Sequence, residues 1–240
     1  MDIIISGYGK MGKEVERICL KRNHNILAII NTTEEWNKLS LINYSNAVVI
    51  DFSLPEVAIN NIIRCFEHDI PIITGTTGWH NQIEYVSDEC KKNNGTLFYA
   101  PNFSIGVNIL LKVNSYLAKL MSHYNNYKVH INETHHIHKL DAPSGTAIAV
   151  ADGIINEYPN LTDWSLDASK NTQSLSIFSN REGEVTGTHE IIYESAEDKI
   201  TLVHEAKNRS GFAMGAVLAA EFIKGKYGIY SMNDLINQSL

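Results

Sequence analysis

Ile3-Ile4-Ile5-Ser6-Gly7-Tyr8-Gly9-Lys10-Met11-Gly12 is the stretch on which the fold turns. Its apolar start reads as a strand, and residues 12–22, with Val15, Ile18 and Cys19 at helical spacing, read as a helix. The glycines between them match G-x-G-x-x-G in the one context that gives the pattern weight. The first permits a tight turn, the second lets backbone approach a pyrophosphate, and the third allows close helix–strand packing. The helix N-terminus then faces the anion. A ligand-free turn is the bland alternative, and strand, turn and helix in sequence argue against it.

Working outward, strands are expected at 26–30, 47–50, 70–74 and 96–100, with helices between them. Ser53 and Glu56 are spaced as a capping box for the helix that follows the third strand, with Pro55 in its first turn. This alternation predicts an α/β, Rossmann-type, doubly wound parallel sheet. A long amphipathic helix is expected over 107–123. Strands at 128–132, 173–179, 189–194 and 200–204, with one helix at 146–158, then predict a second α+β domain with a mostly antiparallel open sheet. Residues 159–170 read as a loop, and 212–224 as a buried, Ala-rich helix. The expected division is a dinucleotide-binding domain of 1–104 completed by 212–240, and a second domain of 105–211.

Composition excludes more than it identifies. A formal net charge of -7 argues against a general nucleic-acid binder. No apolar run reaches the roughly 18 residues of a membrane span, and the N-terminal run reads as a strand rather than a signal peptide, so the expected setting is cytoplasmic. Cys19, Cys65 and Cys90 are odd in number and widely spaced, which suits reduced packing residues. At the end of the second strand, about 20 residues past the glycine motif, stands Asn31 where dinucleotide folds often place a carboxylate. Asn31 can bond a ribose but neither repels nor attracts a 2′-phosphate, and Lys10 is the nearest basic group for one. Gly75-Thr76-Thr77-Gly78 and Ala100-Pro101-Asn102-Phe103 follow strands, on the edge where open α/β sheets bind ligands.

Glu133-Thr134-His135-His136-Ile137-His138-Lys139-Leu140-Asp141-Ala142-Pro143-Ser144-Gly145-Thr146 holds the densest set of proton-transfer groups. Ser144-Gly145-Thr146 opens a helix and offers N–H groups, a hydroxyl cap and a positive dipole end to a carboxylate. His and Lys beside it add charge and mobile protons near neutral pH. A zinc site is disfavoured, because no cysteine or carboxylate lies at a familiar ligand spacing, and the expectation is no metal.

With these segments in view, the chain resembles the 4-hydroxy-tetrahydrodipicolinate reductase family over nearly its whole length. The resemblance rests on GYGKMG at 7–12, DFS at 51–53, GTTG at 75–78, APNFSIGVN at 100–108, ETHHIHKLDAPSGTA at 133–147, GTHE at 187–190 and FAMGA at 212–216. It implies reduction of a small cyclic dicarboxylate by NADH or NADPH, and a homotetramer built through the second domain's sheet. It also implies His135 as proton donor and acceptor, Lys139 as its cationic partner, and His136, Gly145 and Thr146 as substrate-carboxylate ligands. The implied cofactor groups are Gly7, Tyr8, Gly9, Lys10, Met11, Gly12, Phe52, Ser53, Gly75, Thr76, Thr77, Ala100, Pro101, Asn102 and Phe103. Asn31 departs from the acidic residue of many relatives, and the 31–46 connection is shorter than in many of them.

Overall fold

The computed structural model describes residues 1–39, 46–167 and 171–238. Residues 40–45 and 168–170, parts of the 31–46 connection and the 159–170 loop, lie outside the described residues. Contacts divide the chain into two compact units, Met1–Ile105 with Arg209–Leu240, and Gly106–Asn208.

Among the described residues of the first unit, strands β1 (Asp2–Ser6), β2 (Asn25–Ile30), β3 (Ala47–Asp51), β4 (Ile72–Thr74), β5 (Thr96–Tyr99) and β11 (Gly228–Tyr230) form one sheet. Its order is β11-β5-β4-β3-β1-β2, parallel throughout. Alternate side chains of each strand feed two cores. Ile3, Ile5, Val48, Ile50 and Phe98 pack with helices α1 (Lys10–Lys21) and α7 (Ser210–Ile223). Ile4, Val49, Ile72 and Leu97 pack with α2 (Thr33–Leu39), α3 (Pro55–Glu67) and α4 (Ile83–Lys92). A sheet covered on both faces needs near-continuous apolar strands, which explains Ile3-Ile4-Ile5 and Val48-Val49-Ile50. Burying each such side chain contributes about 1.5–3 kcal/mol. The doubly wound expectation holds.

Three local expectations need correction here. Ser53 does not cap α3: Pro55 occupies the first helical position, Leu54 is the N-cap, and the Ser53 hydroxyl instead accepts from Asn61 Nδ2 at 3.3 Å. The fourth strand starts at Ile72 rather than 70, because Pro71 has no N–H to give the ladder. The helix expected over 80–93 opens with a tighter 3₁₀ turn at His80–Gln82.

The second unit carries β6 (Lys128–His135), β7 (Asp163–Leu166), β8 (Ser174–Arg181), β9 (Thr188–Glu194) and β10 (Lys199–Glu205) in the order β10-β9-β6-β8-β7. The sheet is open as expected, but it is mixed rather than mostly antiparallel. β9 pairs antiparallel with β10 and β6, whereas β8 pairs parallel with β6 and β7. β7 lies in the segment read as a loop; four residues with one half-buried aromatic, Trp164, carry too little periodicity to be seen without β8 beside them. Helices α5 (Ile105–Met121) and α6 (Gly145–Ile155) share a core with Ile131, Leu175, Ile177, Ile191 and Tyr193, all on one sheet face.

The C-terminal segment is tied into the first unit by a charged clamp. Glu221 on α7 receives Arg22 through two bonds of 2.7 Å, and His24 lies 2.7 Å from the same carboxylate. Donation from Arg22, then from His24, holds the Glu221 carboxyl below its usual value of 4.5 against a smaller opposing effect of burial. A lowered folded-state value gives stability above the unfolded pKa and forfeits it as pH falls through the folded one. Glu221→Gln is therefore expected to cost about 1 kcal/mol at neutral pH. That deficit should shrink to nothing as pH falls well below 4.5, read from urea unfolding of both proteins across pH.

Candidate active site

In the first unit a cleft of about 1030 Å³ opens at the carboxyl ends of β1, β2 and β3, lined by Gly7, Tyr8, Gly9, Asn31, Phe52 and Ser53 among others. Gly7 has φ 84°, and a Cβ there would lie 2.4 Å from the Phe52 carbonyl oxygen, so glycine is required for the turn. A Cβ at Gly9 would meet nothing within 4 Å, leaving the backbone open to an incoming phosphate. The loop therefore fits the dinucleotide that its sequence implies. Lys10 and Met11 begin α1, and Gly12 is buried within it.

The remaining expected cofactor groups sit on the same sheet edge, and one carboxylate joins several of them. Asp51, fully buried at the end of β3, accepts from Asn61 Nδ2 at 3.0 Å, Thr74 Oγ1 at 3.1 Å and Thr76 Oγ1 at 2.9 Å. Gly75 N–H donates to the Asp51 carbonyl, and Thr77 is exposed just beyond. Ala100 N–H bonds back to Thr74, Asn102 Oδ1 accepts from Ser104 N–H, and buried Phe103 stacks on Phe98, with Pro101 exposed between them. Asn31 holds the glycine loop itself, its Oδ1 accepting from Tyr8 N–H at 2.8 Å. Arg64, overlooked in the sequence, also lines the cleft, over the Trp36 ring and bonded to Asn37.

In the second unit, His135 and Glu133 lie on the core-facing side of β6. Register sets Glu133 opposite Ser179 on β8 and His189 on β9, and His135 opposite Arg181. Glu133 is fully buried, yet its carboxylate is surrounded by donors: Ser144 N–H at 3.1 Å, Ser179 Oγ at 2.8 Å, and Arg181 Nη2 at 3.3 Å. Burial pushes its pKa up, but donation from His135, Ser144 and Ser179 outweighs this and leaves it far below the carboxylate range. Ser144 caps α6, its Oγ accepting from Ala147 N–H at 3.2 Å and lying 3.1 Å from His189 Nε2. Gly145 is exposed at the helix mouth, with Thr146 half-buried behind it. Lys139 Nζ donates to both oxygens of Asp141, at 2.8 and 2.9 Å, and Arg181 Nη2 donates to the Asp141 carbonyl at 2.5 Å. His136 is half-buried, and its ring lies 6.0 Å from that of His138.

Models described as dihydrodipicolinate reductase, N-terminus and C-terminus, match residues 1–103 and 106–236. The chain belongs to the dihydrodipicolinate reductase family. A 4-hydroxy-tetrahydrodipicolinate reductase of Christiangramia forsetii is 43% identical to it over 99% of this chain and 98% of the relative. One of the same name from Rickettsia bellii is 38% identical, over 97% and 94%. The solved dihydrodipicolinate reductase from Paenisporosarcina sp. TG-14, with dipicolinate bound, has a TM-score of 0.76 at 23% identity and covers 97% of this chain and 98% of that one. That likeness shows the fold.

For this family member, sequence reasoning reached the histidines and the helix mouth but missed the groups that hold them. Glu133 was visible two places before His135, on the same strand face. Its partners Ser179, Arg181 and His189 are 46 or more residues away and become neighbours only through strand register. Glu133, His135 and His189 each offer a ligand atom within 4.8 Å of the others, a spacing that a metal ion accepts. The donor set does not fit one: Arg181 and the Ser144 N–H already occupy the carboxylate, and a guanidinium 3.3 Å away repels a cation.

Burial, reinforced by His135, lowers the His189 pKa to about 4. Between the usual 6.5 and about 4 the unfolded chain takes up a proton that the folded chain refuses, so this residue's contribution to stability falls as pH drops through that window. His189→Gln is expected to flatten the loss of stability between pH 6.5 and 4. Urea unfolding of both proteins checks it, and equal slopes would refute the assignment.

Proposed function

We propose that the chain reduces 4-hydroxy-tetrahydrodipicolinate to tetrahydrodipicolinate with loss of water, using NADH or NADPH, in lysine and diaminopimelate biosynthesis. The observation that carries this reading is the gathering of His135, Lys139 and the mouth of α6 around the buried Glu133 network in a member of this family. The reduced nicotinamide, when bound, supplies the hydride to C4 of the ring.

The chain's own residues bind, orient and move protons. Gly145 and Thr146 present the N-terminal end of α6 to one substrate carboxylate, and His136 is assigned to the same carboxylate. Lys139, kept near the helix mouth by Asp141, provides a cation for the charge that accumulates on the ring as it is reduced. His135 delivers a proton to the ring and regains it from solvent. In the first unit, Gly7, Tyr8, Gly9, Lys10, Met11 and Gly12 hold the pyrophosphate end of the dinucleotide. Phe52, Ser53, Gly75, Thr76, Thr77 and residues 100–103 shape its nicotinamide end, and Asn31 contributes to the ribose side. A homotetramer formed through the second unit's sheet belongs to the same reading. Sedimentation tests it. A cytoplasmic setting is supported by three free, buried cysteines.

Purified protein should oxidise NADH or NADPH when given the condensation product of pyruvate and aspartate semialdehyde. Lys139→Ala should lose roughly 10²-fold or more in turnover, with dinucleotide binding, read by fluorescence titration, little changed. Absence of turnover with either dinucleotide would overturn the proposal.

A further inference from the structure

The reaction proposed above gives His135 a proton to deliver but leaves open what chooses the nitrogen that delivers it. The surroundings of the ring are unequal. Nδ1 is buried and lies 3.3 Å from Glu133 Oε2, an oblique approach with no other partner. On the other side, a Cβ added at Gly187 would stand 3.0 Å from Nε2, so glycine there keeps the approach to that nitrogen clear. The His189 ring packs edge-on at 5.1 Å and is held uncharged by burial, so it brings no second cation against His135.

We propose that Glu133 is a positioning residue: its buried carboxylate holds His135 in the Nδ1–H form, aims Nε2 at the substrate past Gly187, and ties that ring to the carboxylate-binding mouth of α6. This rests on the reading of His135 as the proton donor. The physical basis is that the hydrogen bond made by one imidazole nitrogen decides the protonation of the other. A protonated His135 that gives up its Nε2 proton is left as the neutral Nδ1–H tautomer, the form that a carboxylate at Nδ1 stabilises. Glu133 is itself kept ionised by Ser144 N–H, Ser179 Oγ and Arg181, so it accepts from Nδ1 and does not donate to it. One carboxylate therefore contacts both the ring that moves the proton and the first N–H of the turn that receives the substrate. Displacement of either is transmitted to the other through a side chain with no room to swing.

Glutamine at 133 has nearly the same shape but keeps only one acceptor oxygen: with that oxygen turned to Ser179 and Arg181, its amide NH₂ faces His135 Nδ1, where an acceptor is required. The test is ¹⁵N NMR of the imidazole nitrogens in the unliganded protein, with His135 assigned by the signals lost in His135→Asn. Neutral His135 should be Nδ1–H in the wild type, and Glu133→Gln should shift it wholly or partly to Nε2–H. In the same variant kcat should fall at least about tenfold while KM for the dinucleotide stays within about twofold, and Glu133→Asp should recover part of the loss. A wild-type His135 in the Nε2–H form overturns the proposal without any variant, even if Glu133→Gln fails to fold. An unchanged tautomer or unchanged kcat in a folded Glu133→Gln also overturns it. The spectrum needs no substrate, so a protein that shows the Nδ1–H form yet turns nothing over would remove the reaction and leave the carboxylate's hold on His135 intact.

Discussion

A carboxylate removed from water must find donors or give up its charge, and the second unit is arranged around satisfying Glu133. Its position on β6 faces the apolar core, where Ile131 continues the same side of the strand toward α5 and α6. The donors come from β8 and from the residue that caps α6, while His135 on its own strand lies 3.3 Å from the carboxylate. Because each arrives from a different element, the ion cannot be paired until register and helix placement are both correct. The mixed sheet follows the same requirement: β8 runs parallel to β6 and so brings Ser179 and Arg181 to the end of the strand where Glu133 and His135 lie. Arg181 extends the network outward to the Asp141 carbonyl, next to the carboxylate that holds Lys139.

The first unit solves the corresponding problem with neutral donors. Asp51 ends a fully buried strand and gathers Asn61, Thr74 and Thr76, which fastens the end of β3 to α3, to β4 and to the loop after β4. Polar groups appear at the carboxyl edge because the strand interiors are sealed on both faces and admit only apolar side chains. Rigid strands and short connecting loops therefore present backbone groups along a cleft that the glycine turn keeps open. The two units share a strategy, a buried acid near a strand end organising the polar groups around it, while the second adds charged donors and titratable rings.

Much of this was legible beforehand for identifiable reasons. Ile3-Ile4-Ile5 before a glycine turn, and Val15, Ile18 and Cys19 after it, carry local periodicities that survive without tertiary context. Resemblance in the histidine and lysine segment led to His135 and Lys139. Where local signals competed, the reading failed. The Ser53 and Glu56 spacing looked like a capping box, but Pro55 imposed a different start on α3. β7 was too short to show a period, and strand direction in the second sheet could not be inferred from strand composition.

From the order of its residues alone this protein determined a parallel nucleotide-type sheet, the glycine turn, the histidine segment and the helix that opens at Ser144, since each depends on interactions among near neighbours. Only the tertiary structure decided which side chains hold them: Ser179, Arg181 and His189 around Glu133, and Glu221 across from Arg22 and His24. Those partners are separated by whole strands and helices, and no spacing in a linear chain records the strand register or the helix placement that burial of apolar faces sets.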